Sequence, residues 1–234
     1  MTLEQLQEIF PDATTETWHQ HPNGGGWVQN TARVDATARV YGDAWVYGNA
    51  RVYGNARVYG DARVSGDARV SGNARVSGNA QVYGNAWVYG NAWVYGDAWV
   101  YGNARVYGNA RVSGNAQVYG NAWVYGNAWV YGNAWVYGDA RVSGDAQVSG
   151  NARVYGDAQV SGDAWEKSPL YIQGSRDRLC ECAKGILAIG CIQKPADWWQ
   201  EFGARVGEEN GYTSAEIREY RRYVDMYVEM QKDK

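Results

Sequence analysis

A parallel β-helix is the fold class predicted for most of this chain, on three observations. Valine recurs every sixth residue from Val28 to Val160 without exception, which makes 23 units. A small residue, almost always Ala, stands two places before each valine, and strand side chains alternate with period two, so Val and Ala share one face. No insertion interrupts the series. A fixed short period of this kind is the mark of a solenoid, in which each unit buries its apolar face only by stacking on its neighbours.

The unit reads Val, Tyr or Ser, Gly, Asn or Asp, Ala, and then Arg, Trp or Gln; Asn103 to Gly108 is a typical copy. Val and Ala point inward, and the residues flanking Val point outward. Gly and Asn or Asp fill the corner, where positive φ is needed and Gly and Asn reach it most cheaply. The inverse arrangement puts Arg inside in a column and fails on the cost of burying unpaired charge. Three units closing a triangle give an 18-residue coil, so 23 units give about seven to eight coils. At strand spacing of ~4.8 Å the prism is roughly 35 Å long.

The flanks break the pattern and define the expected domains: an N-terminal helical cap over 1–26, the β-helix over 27–165, and a small α+β domain over 166–234. Thr2 and Gln5 form a capping-box pair for a short helix with Leu3, Leu6, Ile9 and Phe10 as its apolar stripe. Leu170 to Ile172 and the region Leu179–Ile192 read as short strands, with a turn at Lys184-Gly185. Pro195 opens a helix through Trp198, Trp199 and Phe202, and Thr213 with Glu216 opens a second, whose Ile217, Tyr220, Val224, Tyr227 and Val228 share a face.

The Val and Ala columns resemble the hexapeptide-repeat family over Val28 to Ala164, although the residue after Val, usually small or acidic there, is Tyr or Ser here. The resemblance implies a left-handed parallel β-helix that assembles as a homotrimer of parallel prisms. It also implies a comparison with the acyltransferases of that family, which typically use a His as general base. No His lies in the repeat; His19 and His21 stand before it. The expectation is therefore no catalytic residue and no enzyme, with an acyltransferase as the enzyme alternative. A second, weaker resemblance lies in the flanks, in the stretch from His21 to Val34 and in Ala188 to Cys191 followed by the pair Trp198-Trp199 and by Gly211 to Ile217. It is to uncharacterised bacterial and phage-encoded hexapeptide-repeat proteins, and it implies a viral source and a sponge that sequesters host nucleotide immune signals.

Net charge is −3, so overall charge announces neither a membrane nor a long nucleic acid as partner. Met1 to Phe10 lacks a secretory pattern and no apolar run spans a bilayer, which points to the cytoplasm, the host's if the source is a virus. Between Trp27 and Trp165 there is no Lys and no Glu, but eleven Arg, each just before Val, and nine Asp, eight of them at the turn. Residues 18 apart share a face, so Trp87, Arg105, Trp123 and Arg141 form one column, in which guanidinium planes between indole rings are attractive. Fourteen Tyr form columns on the other side of Val.

These features predict a non-enzymatic binding protein that holds a small planar anionic ligand, a nucleotide signal, on Arg/Trp/Tyr surfaces or in grooves between prisms. The alternative is a structural or assembly protein whose columns serve subunit contacts. The candidate ligand residues are Arg51, Arg57, Arg63, Arg69 and Arg75 beside Tyr53 and Tyr59, and further along Trp93, Arg111 and Trp129. No cofactor is expected and no metal. The three thiols, Cys180, Cys182 and Cys191, read as small core residues, with Cys182 facing Leu187 and Cys180 facing Ile189 across the hairpin; zinc is the alternative. Gly24-Gly25-Gly26 reads as the start of the first coil rather than a phosphate loop, since no helix follows it. Residues 73–108 and 109–144 match at 33 of 36 positions, a duplication of two whole coils.

Overall fold

The computed structural model describes residues 1–162 and 164–232. Its body is a parallel β-solenoid of about eight coils. The solenoid strands run from β2 (Trp27–Gln29) to β24 (Gln159–Ser161), one around each repeat valine. Strands three apart in sequence pair in parallel with a register of 18 residues, as Arg75 with Trp93 and Val76 with Val94. This yields three sheets, which with one further strand at each end of the solenoid number nine, eight and eight strands. The first face carries the column Trp45, Arg63, Gln81, Trp99, Gln117, Trp135. The second carries Arg33, Arg51, Arg69, Trp87, Arg105, Trp123. The third carries Arg39, Arg57, Arg75, Trp93, Arg111, Trp129.

The interior is a dry stack of Val and Ala, fully buried from Val40 through Val154. Each buried valine contributes roughly 1.5–3 kcal/mol before chain entropy is subtracted. At the corners the division of labour is sharper than expected. Every turn glycine from Gly42 to Gly162 has φ between +59° and +76°, and among the described residues no other residue type has positive φ. Asn has a different task. Its side-chain amide donates to the Asn or Asp one coil further on, in runs such as Asn85 to Asn103 to Asn121 to Asp139, at 3.0–3.2 Å. Asp accepts but cannot donate, so a run stops where it reaches Asp, as at Asp139.

The two ends of the prism differ. At the start, α1 (Leu3–Gln7) is only five residues long, closed by the Thr2/Gln5 capping box. The strand β1 (Trp18–Gln20) pairs antiparallel with β2 and covers that sheet edge. Leu6, Ala13 and Trp18 bury Trp27 and Trp45 in a small separate core. The glycine run lies across the edge of the third face: Gly26 donates to the Val40 carbonyl at 2.8 Å, and a Cβ on Gly24 would stand 2.5 Å from that oxygen. The run is thus a close backbone approach over the first coil rather than part of it.

At the other end the six-residue spacing slips by one. In β25 (Ala164–Trp165), Ala164 aligns with Gln147 and Trp165 with Val148. Trp165 therefore takes a valine slot, is buried, and joins the solenoid core. A four-stranded antiparallel sheet follows, β26 (Tyr171–Gln173), β27 (Arg178–Ala183), β28 (Ile186–Ile189) and β29 (Ile192–Pro195), in that order. One face of it packs against the last coil, where β27 lies along β24 and the Tyr171 ring meets that of Tyr155 at 5.4 Å. The other face carries α2 (Ala196–Glu209) and α3 (Ser214–Lys232), whose Trp199, Tyr220, Val224 and Tyr227 form a second core with Leu179 and Leu187. Thr213 and Glu216 make the reciprocal capping bonds at the start of α3.

The expected facing of the cysteines is corrected here. Cys180 stands opposite Ala188 and Glu181 opposite Leu187, with a register shift between Glu181 and Ala183. The bulge at Cys182 follows from Glu181, whose carboxylate is drawn to the other face by the Tyr227 hydroxyl. Cys180 and Cys182 are buried and Cys191 is exposed.

Candidate ligand-binding faces

The five candidate arginines of the early coils do not form one cluster, because successive units lie on successive faces. Arg51 and Arg69 share the second face, Arg57 and Arg75 the third, and Arg63 lies on the first. They also differ in what they touch. Arg63 lies 4.5 Å over the ring of Trp45, Arg69 4.7 Å over Trp87, and Arg75 5.3 Å over Trp93. Arg51 and Arg57 have no such ring. They stand instead between like charges, Arg51 between Arg33 and Arg69, Arg57 between Arg39 and Arg75. Among the described residues no solenoid arginine has a carboxylate within 4 Å. At rung spacing, two such charges repel by roughly 1 kcal/mol in water and more where water is excluded. The early coils therefore carry two bare cationic ladders that an anion would relieve.

Further along, the expected alternation of Trp and Arg is present. Arg105 lies 5.4 Å from the ring of Trp87 and 5.0 Å from that of Trp123, and Arg141 lies 5.0 Å from Trp123 on its other side. The third face differs. Arg111 stacks on Trp129 at 5.7 Å, and Trp93 and Trp129 tip toward Tyr95 and Tyr131. Arg75, Trp93, Arg111 and Trp129 line one shallow groove, closed on its other side by the ladder Asn73, Asn91, Asn109, Asn127. Four of the candidate residues thus come together here. The duplication makes the groove two copies of one arrangement.

The tyrosine columns are stacked. Tyr83, Tyr101, Tyr119 and Tyr137 follow one another at 4.9–5.0 Å with planes within 5°. Burial within the stack pushes the phenols of Tyr83, Tyr101 and Tyr119 up from their ordinary range. In such a stack both ring faces are already used, and the edges point outward. Ring edges carry the positive part of the aromatic quadrupole, so the outward surface suits anions better than it suits a further stacked ring. The exception is Tyr53, 38% exposed, with Asp35 and Ser71 as its column neighbours. Tyr59 stacks on Tyr41 at 5.0 Å.

The histidines sit at the entrance to the solenoid. His19 is exposed, its Nδ1 2.7 Å from Asn30 Oδ1; His21 is 3% exposed, against the turn at Asn23. His21 is buried at the same entrance, its backbone N–H donating to the Gly26 carbonyl at 2.8 Å. No group of three His, Cys, Asp or Glu comes together as a metal site among the described residues. No helix is long and apolar enough to cross a membrane among them.

Sequence reasoning missed a cavity of about 180 Å³ between α2, α3 and the turns of the terminal sheet, lined by Ile189, Cys191, Trp199, Val206, Tyr212 and Tyr220 among others. Its walls come from five separate segments. A side chain at Gly203 would meet Trp199 at 3.3 Å and one at Gly207 would meet Ile217 at 2.8 Å, so both wall positions suit glycine. At its rim Tyr212 donates to Asp177, and burial and that carboxylate together push the Tyr212 phenol well up.

No curated protein matches the chain. A family model described as YdcK beta solenoid repeat does match, in overlapping stretches from 38–54 to 146–162 that leave only residue 133 uncovered between them, more than half of the chain. The stretches fall on the three parallel sheets, and on that evidence the chain belongs to the YdcK beta-solenoid repeat family.

Proposed function

We propose that the protein is a non-enzymatic binding protein whose solenoid faces hold a small anionic ligand that carries a flat ring, with a nucleotide signal as the leading identity. Held without turnover, such a signal is withdrawn from whatever reads it, which is the action of a sponge. The observation that supports the reading is the pair of bare ladders, in which Arg51 and Arg57 lie between like charges with neither carboxylate nor aromatic partner. A guanidinium fork matches phosphate geometry bidentately, and a charge-assisted bond of this kind is worth about 1.5–3 kcal/mol. In the same reading the coil is left-handed, residues 1–26 serve as a cap, and three prisms assemble side by side. Trp99, 39% exposed on the first face, supports the last point, since a trimer would cover it.

Calorimetry against mononucleotides, cyclic dinucleotides, ribose 5-phosphate and neutral sugars tests the reading. Phosphate-bearing compounds should bind, more weakly as salt rises, and Arg57→Ala should cost roughly ten- to a hundredfold in affinity. Binding of neutral sugars alone, lost in Trp129→Ala, would overturn it. A second reading, a structural or assembly protein, draws support from the stacked tyrosines, whose faces are used up within the column.

A further inference from the structure

The tyrosine columns have missing rungs, and the structure shows what fills them. On the third face the residue after Val runs Tyr59, Ser77, Tyr95, Ser113, Tyr131, Ser149. Ser77 and Ser113 are only 6% and 5% exposed, because a tryptophan of the following coil, Trp93 or Trp129, folds over the gap. Trp129 does so with its Nε1 donating to Ser113 Oγ at 3.2 Å and its ring tilted against Tyr131 at 4.8 Å. A serine in a tyrosine column is thus a ring-sized vacancy that an aromatic group occupies.

On the second face the same vacancy stands open. Ser71 interrupts the column between Tyr53 and Tyr89, and it is only half-buried. The tryptophan that would cover it, Trp87, is held upright as a rung between Arg69 at 4.7 Å and Arg105 at 5.4 Å. Tyr89 has its far face stacked on Tyr107 at 4.8 Å, which leaves its near face toward the gap. Tyr53 is the exposed tyrosine of the solenoid. Two coils separate the rings by roughly 10 Å, so an inserted ring would lie about 5 Å from each, the spacing of the protein's own stacked pairs. Arg51 and Arg69 flank the gap on the same face, two residues away from Tyr53 and Ser71. The comparable vacancy at Ser65 is compromised, because its lower ring, Tyr47, is engaged by Phe10 and Trp18.

We infer that the rung at Ser71 is an intercalation slot for a planar heteroaromatic ring bearing phosphate, a nucleotide whose base inserts between Tyr53 and Tyr89 while its phosphate meets Arg51 and Arg69. The inference rests on the anion-binding reading above and narrows it to one place. It also answers the objection that the columns have no free ring face: the slot is where a face is free.

Ser71→Tyr tests it with the fold unharmed, since tyrosine occupies this place in fourteen other units. Circular dichroism and elution volume should be unchanged. Binding of AMP, adenosine and ribose 5-phosphate is measured by calorimetry, with hypochromism near the adenine band as the mark of stacking. Wild type should bind AMP at least tenfold more tightly than ribose 5-phosphate, with hypochromism. Ser71→Tyr should bring AMP down to the affinity of ribose 5-phosphate and remove the hypochromism. Arg51→Gln should weaken both phosphates about tenfold and leave the stacking signal at saturation. If AMP binds and Ser71→Tyr leaves it untouched, the slot is wrong while the cationic ladders stand. If Ser71→Tyr weakens both phosphates alike, the ring contributes nothing and the slot is again wrong. If wild type binds none of the three, both the slot and the broader reading fall.

Discussion

Replacing a corner glycine by alanine separates two costs that the solenoid combines. Gly120 has φ +69°, and a Cβ there would stand 3.0 Å from the Gly138 nitrogen and 3.1 Å from its oxygen. Gly162 holds the same place in its six-residue unit, at a neighbouring corner of the last coil, at φ +76° and with nothing within 4 Å of an added Cβ. Both substitutions carry the left-handed backbone cost of ~1–2 kcal/mol. Both also gain ~0.4–1 kcal/mol from a stiffer unfolded chain. Gly162→Ala should therefore lose about 0–1.5 kcal/mol. Gly120→Ala must in addition push away the next coil's backbone, which cannot swing aside as a flexible side chain would. That motion loosens the bond from the Asn121 amide to the Gly138 carbonyl, 2.8 Å long, and the Asn121–Asp139 bond beside it. Each is worth about 1 kcal/mol, so the total should reach roughly 2–4 kcal/mol. Urea unfolding followed by far-ultraviolet circular dichroism reads both as shifts in midpoint at constant slope. Equal losses at the two positions would refute the idea that close approach between coils, and not φ alone, reserves the corner for glycine.

Four further outcomes are expected. With a thiol reagent at pH 8 the native protein should label at Cys191 alone; burial raises the Cys180 thiol and pushes Cys182 up to about 11, so those two should react only on unfolding, and mass spectrometry of the digest checks this. The raised thiols favour the neutral form in the fold, so their stabilisation is complete below the ordinary thiol range and is lost as pH climbs toward about 11; a denaturation midpoint that rose over that interval would contradict the sign. Deletion of residues 109–144 should give a folded protein with an unchanged terminal domain and a smaller unfolding slope, read by near-ultraviolet circular dichroism and urea titration. Trp165→Ala should cost ~3–5 kcal/mol as a large buried truncation, visible as a lowered thermal midpoint, whereas an unaltered midpoint would mean that the last coil closes without it.

The solenoid was legible because its rule is local and repeated: Val inward, two residues after Ala, with Gly at the corner. The 18-residue register followed from that alone, and so did the column Trp87, Arg105, Trp123. What the sequence concealed lies where a single residue breaks a count. Trp165 enters a valine slot because one residue is skipped after Val160, and periodicity carried past that point assigns Glu166 to the core. Cys182 sits at a bulge set by a tertiary bond from Tyr227, which no hairpin spacing reveals. The candidate site was legible in kind and not in place. Arginine beside tyrosine was plain in the sequence. Which arginines lie over a tryptophan, and which serine leaves a rung empty, depends on side chains 16 to 18 residues away leaning up or down a column.

The duplicated block has a bearing on how this protein changes length. The two ends are distinct fittings, β1 on one sheet edge and the terminal sheet on the last coil, and each engages particular faces of a three-sided shaft. Adding or removing six residues would leave every coil well packed yet turn one fitting a third of a revolution against the other; twelve would turn it two thirds. Only multiples of eighteen keep the ends in phase. The 36-residue insertion is such a multiple, so the shaft can be cut or extended like a threaded rod in fixed steps, and relatives that differ in length should differ by whole turns of the thread.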